Sequence, residues 1–180
     1  MKIVYLHASK FGNGAAVAAE FKQQMADNGV DVDVHHIRDV DPTQLSPADL
    51  YVFSSPGRIG KPIGGMRRFL KKLNLPAGTR YAILTTEAAP KPDKKTGQMP
   101  TEAQRAKWQR VRPIMNEILQ GKGLVSVAED VVHVTGLKGP LEDGWQMTVA
   151  GLVTRVLAAA GAEMPVATAR VDVGEREVDL

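Results

Sequence analysis

The chain has 180 residues, 43% of them apolar and 24% charged, which suits one compact domain with an ordinary core and excludes a chain too polar to fold. It contains no cysteine, so disulfide frameworks, thiolate metal sites and cysteine nucleophiles are excluded together, and the composition fits a cytoplasmic protein. The net charge of +3 conceals a basic middle: residues 56–80 carry Arg58, Lys61, Arg67, Arg68, Lys71, Lys72 and Arg80 without one acid, an arrangement expected of an anionic ligand or partner, or of a solvated helix face.

The apolar run Ile3–Leu6 is too short for a signal peptide, and no stretch approaches the roughly 18 apolar residues of a membrane span. Residues 3–8 read as a first strand, and 9–14 as a Gly-rich break. A helix follows over 15–28, with Val17, Phe21 and Met25 on one face and Gly29 as its stop. Val30–Ile37 alternates like a strand, and 43–48 is a turn or short helix. Leu50–Ser54 is a buried-looking strand, 55–65 a loop rich in Gly and Pro. The spacing of Met66, Phe69, Leu70 and Leu73 predicts a helix that Pro76 and Gly78 end. Tyr81–Thr85 is another strand. Residues 87–101 form a long polar loop, a kind of segment that is usually functional or mobile. A helix is expected over 101–120 with a kink at Pro113, then a strand in two parts over 124–134, then a helix over 141–160 whose stripe holds Trp145, Val149, Leu152, Val153 and Val156. Residues 1–160 are expected to form one domain and 161–180 a tail, weakly alternating around Val171 and Val173.

Strands that alternate with helices imply an α/β sandwich whose parallel strands are joined by right-handed crossovers. Near-continuous apolar strands are what a sheet covered on both faces requires. In such sheets ligands bind beyond the carboxyl ends of the strands, at the switch point. Three loops sit there: Ser9–Gly14, Ser54–Lys61 and Thr85–Ala89.

The first loop, Ser9-Lys10-Phe11-Gly12-Asn13-Gly14, joins a strand to a helix. It is either an ordinary turn or a phosphate cradle, in which backbone N–H groups and the helix N-terminus converge on an anion. It is neither a Walker A loop nor a dinucleotide fingerprint, since no Gly-Lys-Ser/Thr and no Gly-x-Gly-x-x-Gly is present.

Ser9-x-x-Gly12-Asn13-x after a first strand, in a chain of this length and order, resembles the phosphate loop of flavodoxins. The resemblance continues through Ser55-Pro56-Gly57-Arg58-Ile59-Gly60-Lys61-Pro62 and the helix after it, and covers about residues 1–160. Gly60-Lys61-Pro62, Gly136 and Gly139-Pro140-Leu141 resemble flavodoxin-like proteins related to menaquinone-dependent protoporphyrinogen oxidase more than the short acidic electron carriers. The resemblance implies a three-layer, five-stranded parallel sheet in order 2-1-3-4-5, with FMN at the switch point. Ser9, Gly12 and Asn13 match positions that hold the FMN phosphate. Phe11 and Gly14 stand where hydroxyl residues are usual, and each lost charge-assisted hydrogen bond is worth about 1.5–3 kcal/mol; Lys10 can offset part of that loss. Ser55, Pro56 and Gly57 match the loop at the reactive edge of the flavin, Arg58 or Ile59 can cover one ring face, and Thr86, Glu87 and Ala88 are expected at the pyrimidine edge. Neither of these two loops carries the usual ring-stacking aromatic; Trp108 and Trp145 are expected elsewhere, Trp145 in the core.

The function this implies is an FMN-binding redox protein that passes electrons between a donor and a protein or small-molecule acceptor, as a carrier or as an enzyme. Two rivals stand beside it. One is a flavodoxin-fold binding or regulatory module without flavin. The other is an NAD(P)H-dependent quinone or flavin reductase whose 87–101 segment closes over a substrate. No catalytic residue and no metal ligand is assigned. His7 is hydrogen-bonded at a strand end, or contacts phosphate or donates a proton. His35 and His36 face opposite sides of a strand, and His133 is alone. Nucleic-acid binding is not expected, because the basic stretches lack interleaved aromatics and any recognised motif.

Overall fold

A computed structural model describes residues 1–161; the tail reading around Val171 and Val173 lies outside the described residues. Five parallel strands make one sheet: β1 (Ile3–His7), β2 (Val32–His36), β3 (Leu50–Ser54), β6 (Arg80–Ala88) and β7 (Val125–Val134). Two short strands, β4 (Gly57–Arg58) and β5 (Lys61–Pro62), form a separate antiparallel hairpin. The sheet order is β2-β1-β3-β6-β7, which is the 2-1-3-4-5 order once the hairpin is set aside. Residues 3–7 of β1 pair in register with 32–36 of β2 on one side and 50–54 of β3 on the other, so all three end at one edge.

The helices are α1 (Asn13–Asp27), α2 (Gly64–Lys72), α3 (Glu102–Trp108), α4 (Val111–Gly121) and α5 (Trp145–Gly161). Strand side chains alternate between faces, so each face has its own core. One face buries Tyr5, Val52 and Leu84 against Val17, Phe21 and Met25 of α1 and Val149, Leu152 and Val156 of α5, with Trp145 partly buried beside them. The other buries Leu6, Phe53 and Ile83 against Met66, Phe69 and Leu70 of α2 and Val111, Met115 and Leu119 of α4.

Four local expectations differ from the structure. The helix expected over 101–120 is two helices, broken at Gln109–Arg110 and not at Pro113. Pro113 lies in the first turn of α4, where a missing N–H costs nothing. Strand β6 runs on to Ala88, because Thr86, Glu87 and Ala88 pair with Val132, His133 and Val134 of β7. The two parts expected of the last strand are one strand with an irregularity opposite Tyr81 and Ala82. The Gly- and Pro-rich second loop contains the β4–β5 hairpin.

Candidate functional site

The loop after β1 carries the electrostatic content of the site. Ala8 N–H donates to the Ser54 carbonyl at 3.0 Å, which ties the start of the loop to β3. Gly12, in the left-handed region at φ 91, caps α1 and donates its N–H to Ser9 Oγ at 3.1 Å. The first turn of α1 holds no acid and has no side-chain cap. The N–H groups of Lys10, Phe11, Asn13, Gly14 and Ala15 have no partner among the described residues. Unpaired amides at a helix start can receive an anion. Two cations stand over the Phe11 ring of this loop: Lys10 Nζ lies 5.4 Å and Lys138 Nζ 5.9 Å from its centre.

A Cβ at Gly14 would stand 3.2 Å from Ser9 Cβ, so a side chain here requires Ser9 to yield by a few tenths of an ångström.

Two imidazoles brace the loop from below. Ser9 N–H donates to His7 Nδ1 at 3.4 Å, and His36 Nε2 lies 3.1 Å from the Ser9 carbonyl. The two rings meet edge to face with centroids 5.1 Å apart. Burial holds the His7 pKa below the ordinary histidine value, the neighbouring His36 lowers it further, and Asp39 opposes both.

Beyond the strand ends the loops enclose a cleft of about 220 Å³. It is lined by Ser9, Lys10, Phe11, Asn13 and Gly14 of the first loop, by Pro56, Gly57 and Arg58 of the second, and by Thr86 of β6. Ile63, Val134 and Leu137 complete the wall. The second loop is bound to β6 by a parallel bridge between Pro56 and Thr86 and by Thr86 N–H donating to the Ser55 carbonyl at 3.2 Å. A Cβ on Gly57 would meet Val111 at 2.9 Å and Glu87 at 3.3 Å, so this peptide is backed by both side chains.

Other expected site residues lie around the cleft and not in its wall. The Ser55 hydroxyl donates to the Pro56 carbonyl at 3.0 Å and accepts Ile63 N–H at 3.3 Å, which shapes the loop. Glu87 is buried; its carboxylate accepts the Thr85 hydroxyl at 2.7 Å and faces Arg112 Nε at 3.6 Å. Ile59 forms the exposed hairpin tip, and with Ala88 it lines a neighbouring cleft that also contains Trp108. Trp108 is not in the wall of the first cleft; the break between α3 and α4 brings it beside the second loop, in the neighbouring one. Val134, Leu137 and Lys138 were not assigned to the site from sequence. The signal was present in Gly136 and Gly139-Pro140, which turn the chain after β7 against Asn13. Among the described residues no group of three histidines or acids is placed to hold a metal, and no helix is long and apolar enough to cross a membrane.

No protein-family model and no curated protein sequence matches the chain. Solved structures do. An archaeal flavodoxin is similar with a TM-score of 0.63 at 18% identity, over 89% of this chain and 99% of its own. Flavodoxin 1 of Bacillus cereus is similar with a TM-score of 0.65 at 18% identity, over 88% and 98%. The rubredoxin oxygen:oxidoreductase of Desulfovibrio gigas is similar with a TM-score of 0.62 at 15% identity; the match covers 89% of this chain and only 36% of that longer one. With the sheet order and the two helical layers, these likenesses identify the architecture as the flavodoxin-like fold.

Proposed function

We propose that the chain binds FMN at the ends of β1, β3 and β6 and acts as a flavodoxin-like redox protein, passing electrons between a donor and a protein or small-molecule acceptor. The observation that carries this reading is the set of five N–H groups without partners after β1, at the mouth of a cleft built by three loops. A phosphoryl dianion satisfies those groups together, and a backbone that presents them already oriented needs little reorganisation. Lys10 and Lys138 add charge at the same end. Bound flavin would supply the redox chemistry; the chain holds and tunes it. The Pro56–Gly57 peptide stands at the reactive edge, as the resemblance implies. Arg58 adds a positive field that favours an anionic reduced ring.

The visible absorption spectrum of freshly purified protein tests this. A flavin spectrum, or stoichiometric uptake of added FMN by colourless protein, is the expected result; colourless protein that takes up none rejects it. Lys10→Glu is expected to lower FMN affinity about tenfold, the size of one charged phosphate contact, while leaving riboflavin unaffected because it has no phosphate. A flavin-free module for another phosphate-bearing ligand is the second reading. It is favoured by the absent hydroxyl at Gly14 and by the engagement of Ser9 Oγ with Gly12 N–H. Melting shifts measured across FMN, sugar phosphates and nucleotides separate the two.

A further inference from the structure

Segment 89–110 joins β6 to α4 and is held in place without contributing to either core. Helix α3 buries no residue. It is nonetheless capped at both levels: Thr101 N–H donates to Gln104 Oε1 at 2.8 Å and Gln104 N–H to Thr101 Oγ1 at 3.2 Å. Its far end is pinned to the hairpin by Arg110 N–H, which donates to the Gly60 carbonyl at 2.7 Å. An element that adds nothing to the core and is still fastened in one position is shaping a surface.

That surface contains two clefts in series with the candidate flavin cleft. The first, about 330 Å³, begins at Gly57 and lies between Ile59, Ala88, Trp108 and Val111. Gly57 is common to it and the candidate flavin cleft. The second, about 590 Å³, continues from Trp108 and is lined by Lys91, Met99, Gln104 and Lys107. Trp108 is common to these two. The first has apolar walls of a size for one planar ring, and the second presents cations. Lys91 and Lys107 have no ion-pair partner among the described residues. The one carboxylate lining that groove, Asp93, stays ionised because it accepts hydrogen bonds from Lys95 N–H at 2.8 Å and Thr96 N–H at 2.9 Å, and the two lysines outnumber it.

We propose that segment 89–110 builds a site for a reduced pyridine dinucleotide, with the planar ring in the slot at Ile59 and Trp108 and the phosphates at Lys91 and Lys107. A neutral planar ligand would use the slot and leave the cationic groove idle; a phosphorylated one uses both. The location, sharing Gly57 with the first cleft, puts the ring beside the place assigned to flavin. This meaning rests on the flavin reading, but the binding itself does not.

The chain has two tryptophans, so Trp145→Phe leaves Trp108 as the sole reporter. NADPH is titrated into flavin-free protein while Trp108 emission is followed, and calorimetry on the unsubstituted chain serves should Trp145→Phe fail to fold. Saturable quenching is expected below about 1 mM, within the usual range for such ligands. The double variant Lys91→Ala/Lys107→Ala is expected to weaken NADPH roughly tenfold or more. No saturation, or saturation that the double variant leaves unchanged, overturns the site. So does an acidic ferredoxin probe whose binding depends on the two lysines while NADPH does not bind, since the groove is then a protein-docking surface. FMN uptake is measured on the same preparations. NADPH binding without FMN uptake rejects the flavin reading and leaves this site standing; FMN uptake without NADPH binding does the reverse.

Discussion

Ile59 and His7 show what single residues cost and permit. Ile59 is 91% exposed and has φ 50, and with Gly60 at φ 67 it forms the two-residue turn between β4 and β5. Two positive φ values in succession are the geometry of a type I′ hairpin, for which Asn-Gly is the favoured pair. A β-branched residue there costs about 1–2 kcal/mol, and an exposed isoleucine recovers none of it by burial. Ile59→Asn is therefore expected to stabilise the protein by about 1 kcal/mol, read in thermal melting as a rise of about 2–4 °C. An unchanged or lower melting temperature would show that the tip is not strained. His7 has the opposite character, a buried group held neutral. Ser9 N–H donates to its Nδ1, a role that only the unprotonated nitrogen can take. Its folded-state pKa is lowered, so between that value and the ordinary value near 6.5 the unfolded chain binds more protons than the folded one. Stability contributed by neutral His7 is thus complete above about pH 6.5 and is lost as pH falls through the depressed pKa. An NMR titration of the imidazoles is expected to find His7 below the usual value, and His36→Gln is expected to raise it by removing the neighbouring positive charge.

At the scale of elements, the junction of α3 with the hairpin is the most constrained contact near the site. A Cβ on Gly60 would lie 1.7 Å from the Trp108 carbonyl oxygen, and backbone on both sides leaves no flexible group to yield. Gly60→Ala is expected to detach α3 without unfolding the sheet, because α3 buries nothing. Hydrogen exchange of amides 102–110 should accelerate strongly while those of β1 and β3 keep their protection; uniform acceleration would mean that the hairpin supports the whole fold. Such contacts also mark where sequence reading stops. Leu50–Ser54 was legible to the residue, since an apolar run between turn signals has one sensible reading, and the stripe of Met66, Phe69 and Leu70 needed only its period. The break at Gln109–Arg110 had no local signal, because it depends on the Gly60 carbonyl accepting from Arg110, residues far apart in the chain. Thr86–Ala88 read as a loop for the same reason: the strand continues only because β7 is long enough to pair with it. The place of the first loop, between β1 and α1 at the mouth of the cleft, was legible from its glycines and position. Leu137 and Lys138 were not: Gly136 and Gly139-Pro140 mark a turn, but only the folded chain sets that turn against Asn13 of the first loop.

Over the whole molecule, positive charge and unpaired amides lie at one end of the sheet, and both cores lie behind them. Arg58 and Lys10 line the cleft and Lys138 stands over the Phe11 ring at its edge; Lys71 and Lys72, in the last turn of α2, lie toward the other end of the strands, where Lys72 acts on Asp41. Fixing positive groups together without partners raises the free energy of the folded state, and an anion bound there lowers it again. If FMN binds as proposed, the protein should therefore gain stability from it out of proportion to the few residues touched. At a concentration one hundred times its Kd, a ligand that binds only the folded state contributes about 2.7 kcal/mol. For a chain of this size that corresponds to a rise in melting temperature of about 5–10 °C with FMN. Riboflavin at the same concentration should give much less if the proposed phosphate contact holds, because riboflavin has no phosphate to meet the amides after β1. Raising the salt concentration should reduce the FMN shift and leave the riboflavin shift nearly constant, since only the former depends on screened charge. If riboflavin and FMN shift the protein equally at every salt concentration, the amides after β1 are not what holds the ligand, and the ring pocket alone would have to account for binding.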